Sequence, residues 1–293
     1  MKTLSIIGAG KVGKAAAKLF VEGKLCGVGQ VVNRSMESGR AAVRFIGSGE
    51  AKQKLSDIQW EQTDILMIGT ADDAIQACVD SIRRENAPMD KAIVFHLSGS
   101  IPSTILSPLK EQGATIAGVH PIKSFSDSET AAASFPGTFC GLEGDEAALA
   151  VLAQLFVGIG ARVFNIQTEK KTLYHAASVV ICNYLYALID IGLNIYEAAG
   201  VERQIAMEAV EPILLETIQN AMRMGPEQAL TGPIARGDAN VIEKQMQALK
   251  NFKPEYADVY STLGRATVQL ARRKGAAPEA NLREISKHLG NVE

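Results

Sequence analysis

The chain has 293 residues, enough for two modest domains with cores of their own. It is 47% hydrophobic and 21% charged with a formal net charge of -2, which excludes a disordered chain, an acidic tail and a nucleic-acid-binding surface, and leaves a small molecule as the expected partner. Cys26, Cys78, Cys140 and Cys182 are far apart with no CxxC pair, so neither a disulfide framework nor a zinc site is expected; they read as buried thiols of a cytoplasmic protein.

The first element is a strand, Thr3 to Ile7, that runs directly into Gly8-Ala9-Gly10-Lys11-Val12-Gly13. In a dinucleotide-binding turn each glycine has a reason: the first allows the tight turn, the second lets a pyrophosphate approach the backbone, and the third lets the next helix pack on the strand. Phosphate then sits at the helix N-terminus, on free amides and the positive end of the dipole. The helix itself, Lys11 to Glu22, places Val12, Ala15, Ala16, Leu19 and Phe20 at helical spacing and closes at Gly23.

The next strand, Gln30 to Asn33, ends in Asn33-Arg34-Ser35. NAD-binding units place a carboxylate here for the ribose 2'-hydroxyl, whereas an arginine with hydrogen-bonding neighbours suits a 2'-phosphate. The expected cofactor is therefore NADP. Further strands are expected at Ile65 to Gly69, Ile93 to Leu97, Thr115 to His120, Thr138 to Leu142 and Arg162 to Phe164, in alternation with helical stretches. This predicts an α/β fold: a Rossmann-type, doubly wound parallel sheet over residues 1–165.

After Ile65 to Gly69 comes Thr70-Ala71-Asp72, which reads both as a helix start and as a loop at a strand's carboxyl end, where a cofactor lies. Ser98, in His96-Leu97-Ser98-Gly99, and His120, in Val119-His120-Pro121, follow strand ends in the same way and are candidates for binding substrate. Pro121 imposes an extended conformation on His120 and so fixes its direction. No two histidines have metal-ligand spacing, and no metal is expected.

From 166 to 293 the pattern is helical, giving a second, all-helical domain. Lys170 to Ala199 reads as one long helix, with a stretch from Ala176 to Leu193 apolar enough to be expected buried rather than in a membrane. Lys171, His175 and Asn183 fall on or near one face of it and are the candidate catalytic residues, with Asn183 expected as a buried amide that positions the substrate. His175 or Lys171 is the candidate acid or base, because hydride transfer to a carbonyl or imine requires a proton donor within reach. Helices are further expected over Glu202 to Met224, Ala239 to Leu249, Glu255 to Lys274 and Glu279 to Leu289. Between them, Thr231-Gly232-Pro233-Ile234-Ala235-Arg236-Gly237-Asp238 offers Arg236 for a carboxylate, a phosphate or an interface ion pair, and Asp238 as the next cap.

The stretches GAGKVG, HLSGS, GVHPIKSF, YHAASVVICNY and LTGPIARGD together resemble a family of Rossmann-like proteins with a helical C-terminal domain of unknown function, often labelled NADP or deazaflavin-dependent oxidoreductases. More distantly the chain is similar to ketopantoate reductase, pyrroline-carboxylate reductase and the 6-phosphogluconate and hydroxyisobutyrate dehydrogenases. That resemblance implies a homodimer formed through the helical domain. In the hydroxyacid dehydrogenases and ketopantoate reductase a lysine and an asparagine about four residues apart act on the substrate oxygen; here that spacing holds Lys171 and His175. The reading is an NADP-dependent oxidoreductase acting on a small carbonyl, hydroxy or imino metabolite bound between the domains. The alternative is a non-catalytic NADP-binding sensor.

Overall fold

The computed structural model describes residues 1–123 and 127–290; Ser124 and Phe125 of the GVHPIKSF stretch lie outside the described residues. The chain divides into two compact units, Met1–Ile181 and Cys182–Glu293.

The first unit is built on eight strands: β1 Thr3–Ile7, β2 Gly27–Val32, β3 Glu50–Lys52, β4 Ile65–Ile68, β5 Ile93–His96, β6 Thr115–Pro121, β7 Phe139–Gly144 and β8 Arg162–Asn165. Their order in the sheet is β3-β2-β1-β4-β5-β6-β7-β8. All neighbours are parallel except β6 and β7. The first six strands have the 3-2-1-4-5-6 order of dinucleotide-binding sheets, whose order reverses between β1 and β4. The edge strand β3 was not expected from the sequence, since three residues at a sheet edge carry almost no alternation.

Helices α1 Lys11–Glu22, α2 Met36–Ile46, α3 Asp72–Arg84, α4 Ser107–Lys110, α5 Ser128–Ala133 and α6 Glu146–Gly158 join the strands, and α7 Lys171–Ser178 completes this unit. Central strands such as β4 are apolar on both sides because both faces are covered. Along β4, Ile65 and Met67 join Phe20, Phe95 and Phe156 in one core, while Leu66 and Ile68 join Ile75, Val79 and Ile82 in the other. Phe156 anchors the first core, meeting Phe20 edge-on with ring centroids 5.3 Å apart.

The first unit extends to Ile181 rather than stopping at residue 165. Side chains of α7 account for this, because Lys171 bonds Glu143 of β7 and Tyr174 bonds His120 of β6.

The second unit consists of α8 Tyr184–Ala198, α9 Arg203–Met224, α10 Pro226–Ala229, α11 Pro233–Arg236, α12 Ala239–Phe252, α13 Pro254–Lys274 and α14 Glu279–His288. Ile242, Met246, Val268, Leu282, Ile285 and Leu289 form the centre of its core. The long helix of the sequence reading is α7 and α8 joined by a π-helical turn, Val179–Asn183. It does not form a buried core element. Val180, Ile181, Tyr184 and Tyr186 are more than half exposed, and only 6% of its most apolar window is buried within the chain. This segment is the one helix among the described residues long and apolar enough to cross a membrane by length and composition. Sequence period reports that a face is apolar; it does not report what covers it. Two expectations fall with the same segment: Asn183 is exposed rather than buried, and so is Cys182, whereas Cys26, Cys78 and Cys140 are buried thiols.

Candidate active site

The glycine turn opens onto a groove of about 790 Å³, within the usual range for a small-molecule site. Gly8 takes φ +77°, a left-handed conformation, and a side chain there would strike Thr70. Its amide donates to the Val32 carbonyl at 2.8 Å, which ties the turn to the end of β2. At Gly10 a methyl group would sit 3.3 Å from the Gly69 carbonyl, so glycine lets the turn pass close to the end of β4. Lys11, Val12 and Gly13 form the first turn of α1; Gly10 supplies no side-chain cap and the turn holds no acid, so this N-terminus is electrostatically open to an anion.

Asn33 holds the turn from β2: its Oδ1 accepts from the Ala9 amide at 2.7 Å. Arg34 beside it is exposed, lines the groove, and makes no ion pair with another described residue. Ser35 is spent differently from the expectation. Its hydroxyl caps α2, accepting from the Ser38 amide at 3.2 Å, and Ser38 rather than Ser35 lines the groove. Thr70 and Ala71 form the opposite wall, and the buried Thr70 hydroxyl has no hydrogen-bond partner.

Asp72 continues that wall into a second set of polar groups. One of its oxygens, Oδ2, accepts from the Ser98 hydroxyl at 2.8 Å and the Ser100 hydroxyl at 2.9 Å. Ser98 accepts in turn from the Ile101 amide at 3.0 Å, and the Ser100 carbonyl accepts from Thr172 of α7 at 3.1 Å. The loop after β5 is thus fastened to α3 and to α7. At its centre Gly99 leaves room for His120 and His175, both of which a methyl group would strike.

Three strands contribute a row beneath this loop. His96 pairs in register with Gly118, and Gly118 with Glu143. Over Gly118, where any side chain would collide, the Lys171 ammonium meets Glu143 Oε1 at 2.8 Å, with neither side chain exposed. Glu143 also accepts from the Ser103 hydroxyl at 2.6 Å and the Ser103 amide at 2.9 Å. Burial works against the Glu143 charge, but Lys171 and these hydrogen bonds outweigh it and hold the carboxyl below its ordinary range. Burial lowers Lys171, opposed by Glu143 and Asp72. His96 accepts from the Ser98 amide at 3.2 Å through Nδ1; burial, reinforced by Lys171, pushes it down to about 4.

Nearer the surface His120 Nδ1 and the Tyr174 hydroxyl are 2.9 Å apart, and His175 meets the His120 ring edge-on at 5.4 Å. Burial lowers His120 to about 4 and raises Tyr174 to about 12, so at neutral pH the imidazole is uncharged and the phenol keeps its proton. The structure therefore brings together Asp72, Ser98, His120, Lys171 and His175 from the sequence reading. It seals Lys171 in an ion pair, away from solvent. Asn183 and Arg236 belong to the second unit, where Arg236 is paired with Asp238 at 2.9 Å. That pairing replaces the expected cap, since Asp238 makes no side-chain bond to α12.

Glu143 and Tyr174 were missed. A lone acid within the apolar strand Phe139–Gly144 and a glycine within β6 were the available signals, because a glycine inside a strand marks a close approach.

The Rossmann-like family model matches residues 2–121, and the model of DUF2520, a domain of unknown function, matches residues 138–267. The chain thus joins a Rossmann-like domain to a DUF2520 domain. No curated protein matches it. Among solved structures, this DUF2520 protein is similar to a Thermotoga maritima protein at 24% identity and TM-score 0.74, covering 92% of this chain and 99% of that one. A Bacteroides fragilis protein described as a candidate NADP oxidoreductase is similar at 20% identity and TM-score 0.68, with 98% of each chain covered. An imine reductase from Pseudomonas sp. is similar at 16% identity and TM-score 0.60, covering 99% of this chain and 92% of that one. These likenesses establish a shared fold.

Proposed function

We propose that this DUF2520 protein is an NADP-dependent oxidoreductase of a small carbonyl, hydroxy or imino compound. One observation carries the reading: Thr70, Ala71 and Asp72 are consecutive, the first two walling the groove of the glycine turn and the third fastening the loop that carries the histidine cluster. A dinucleotide site and a set of acid–base groups thus share one wall at the carboxyl ends of β4 and β5, where such sheets bind ligands. The descriptions of the Bacteroides and Pseudomonas proteins as an NADP oxidoreductase and an imine reductase support the same class.

The open N-terminus of α1 would hold the pyrophosphate, Asn33 would keep the turn in place, and Arg34 with Ser38 would take the 2'-phosphate. When bound, a nicotinamide exchanges a hydride with the carbon of a C=O or C=N bond. What remains for the protein is the matching proton and the orientation of the substrate. His175 is the residue assigned to the proton, since Lys171 is sealed by Glu143; the His120–Tyr174 pair would orient the substrate heteroatom. The sealing of Lys171 also favours the alternative, a dinucleotide-binding sensor without turnover. Oxidation of NADPH over a panel of 2-oxo acids, aldehydes and cyclic imines separates the two; the oxidoreductase reading requires turnover that His175→Ala abolishes, and no turnover across the panel leaves the sensor.

A second copy of the chain is the proposed cover for the apolar faces of α8 and α9, which expose Tyr184, Tyr186, Ile205, Met207, Ile213 and Leu215. The three buried thiols and the near-neutral charge fit a cytoplasmic homodimer with no membrane or nucleic-acid partner.

A further inference from the structure

The charges around the histidine cluster restrict the ligand. Lys171 is wholly buried and neutralised by Glu143. His96 and His120 are held uncharged at neutral pH. Asp72 is the remaining formal charge of this set: it is exposed, Oδ2 takes both serine hydroxyls, and it acts electrostatically on His96, His120 and Lys171. Asp72, His96, His120 and the Lys171–Glu143 pair together therefore carry a single negative charge, on Asp72, whose carboxylate offers hydrogen-bond acceptors.

Beside it runs a line of rings. His175 meets His120, His120 meets Tyr174 at 5.6 Å, Tyr174 meets Phe164 at 6.1 Å, and Phe164 meets Phe139 at 6.5 Å. Phe164 and Phe139 are 37% and 46% exposed, so the row is open to solvent at its far end. Aromatic faces attract cations, and the row already holds one: the Arg162 guanidinium lies over Phe139, 4.7 Å from its centroid and two rings removed from Tyr174. An acid would meet repulsion from Asp72, while the guanidinium of the row, Arg162, is held over Phe139 at its far end. An organic cation would meet a carboxylate and π faces.

We propose that the cluster recognises a protonated amine or iminium carried on an apolar skeleton, with Asp72 as its counter-ion and the Tyr174–Phe164 faces as its wall. The proposal rests on the oxidoreductase reading and narrows its carbonyl, hydroxy and imino compounds to the nitrogen class.

Calorimetric titration of the full chain at neutral pH, with and without NADP, tests it with two probes of similar skeleton: pyrrolidine, a cation, and cyclopentanecarboxylate, an anion. Pyrrolidine is expected to bind at least about tenfold more tightly. Asp72→Asn is expected to erase the preference, whereas Ser98→Ala with Ser100→Ala, which loosens the loop without changing its charge, preserves it. Equal binding, a preference for the carboxylate, or a preference that survives Asp72→Asn overturns the proposal. An amine preference in a protein that binds no NADP overturns the oxidoreductase reading and leaves the amine site standing.

Discussion

Lys171 and Glu143 meet at 2.8 Å in a place where neither side chain reaches solvent. The charges were taken from water at a cost that their attraction and the Ser103 hydrogen bonds must offset, so removing one partner strands the other. Lys171→Met is expected to lower unfolding free energy by about 3–5 kcal/mol. Lys171→Met combined with Glu143→Leu is expected to recover most of that loss. Urea unfolding of the single and double variants measures both, and a neutral single variant contradicts the pairing.

His96 makes stability depend on pH in a definite direction. Its folded-state value is about 4, below the ordinary histidine value of 6.5, so between these limits the unfolded chain binds the extra proton. The contribution is complete above pH ~6.5 and is lost as the pH falls toward ~4, on the order of 3 kcal/mol in all. Glu143, held below its ordinary range, adds a loss of the same sign at still lower pH. Urea midpoints measured from neutral pH to pH ~4.5 should fall, and the fall should be shallower in His96→Asn; an unchanged slope in that variant contradicts the assignment.

Tyr174→Phe removes the hydroxyl that His120 contacts and leaves the ring in place. With a turned-over substrate, kcat is expected to fall by about 10–100-fold while NADPH affinity stays within about twofold of the parent. Gly99→Ala should produce a larger loss, because its methyl group displaces both histidines. Unchanged turnover in both variants would remove the cluster from the chemistry.

Tyr186→Glu with Ile213→Glu places two charges on the exposed faces of α8 and α9. Sedimentation is expected to show a dimer for the parent chain and a monomer for this variant. A monomeric parent contradicts the proposed partner.

The parallel sheet was legible because short β-branched runs ended in turn signals; β1 and α1 fall on the residues that their periodicity marks. Local chemistry also marked the glycine turn, whose three glycines lie within six residues. What could not be read depends on distance along the chain. Glu143 and Lys171 are 28 residues apart, and Tyr174 and His120 are 54 apart, so neither pair leaves a spacing signature. Asn183 illustrates the converse: its apolar neighbours suggested burial, but they are themselves exposed.

The groove of Gly8, Asn33 and Arg34 is the proposed site of a phosphorylated nicotinamide dinucleotide. Charge-assisted hydrogen bonds of the kind Arg34 would make contribute about 1.5–3 kcal/mol, or about tenfold and more in affinity. Fluorescence titration of NADPH and NADH against the parent chain and Arg34→Ala measures this directly. NADPH is expected to bind at least about tenfold more tightly than NADH, and Arg34→Ala to close the gap by weakening NADPH alone. Equal or tighter binding of NADH by the parent chain would contradict this.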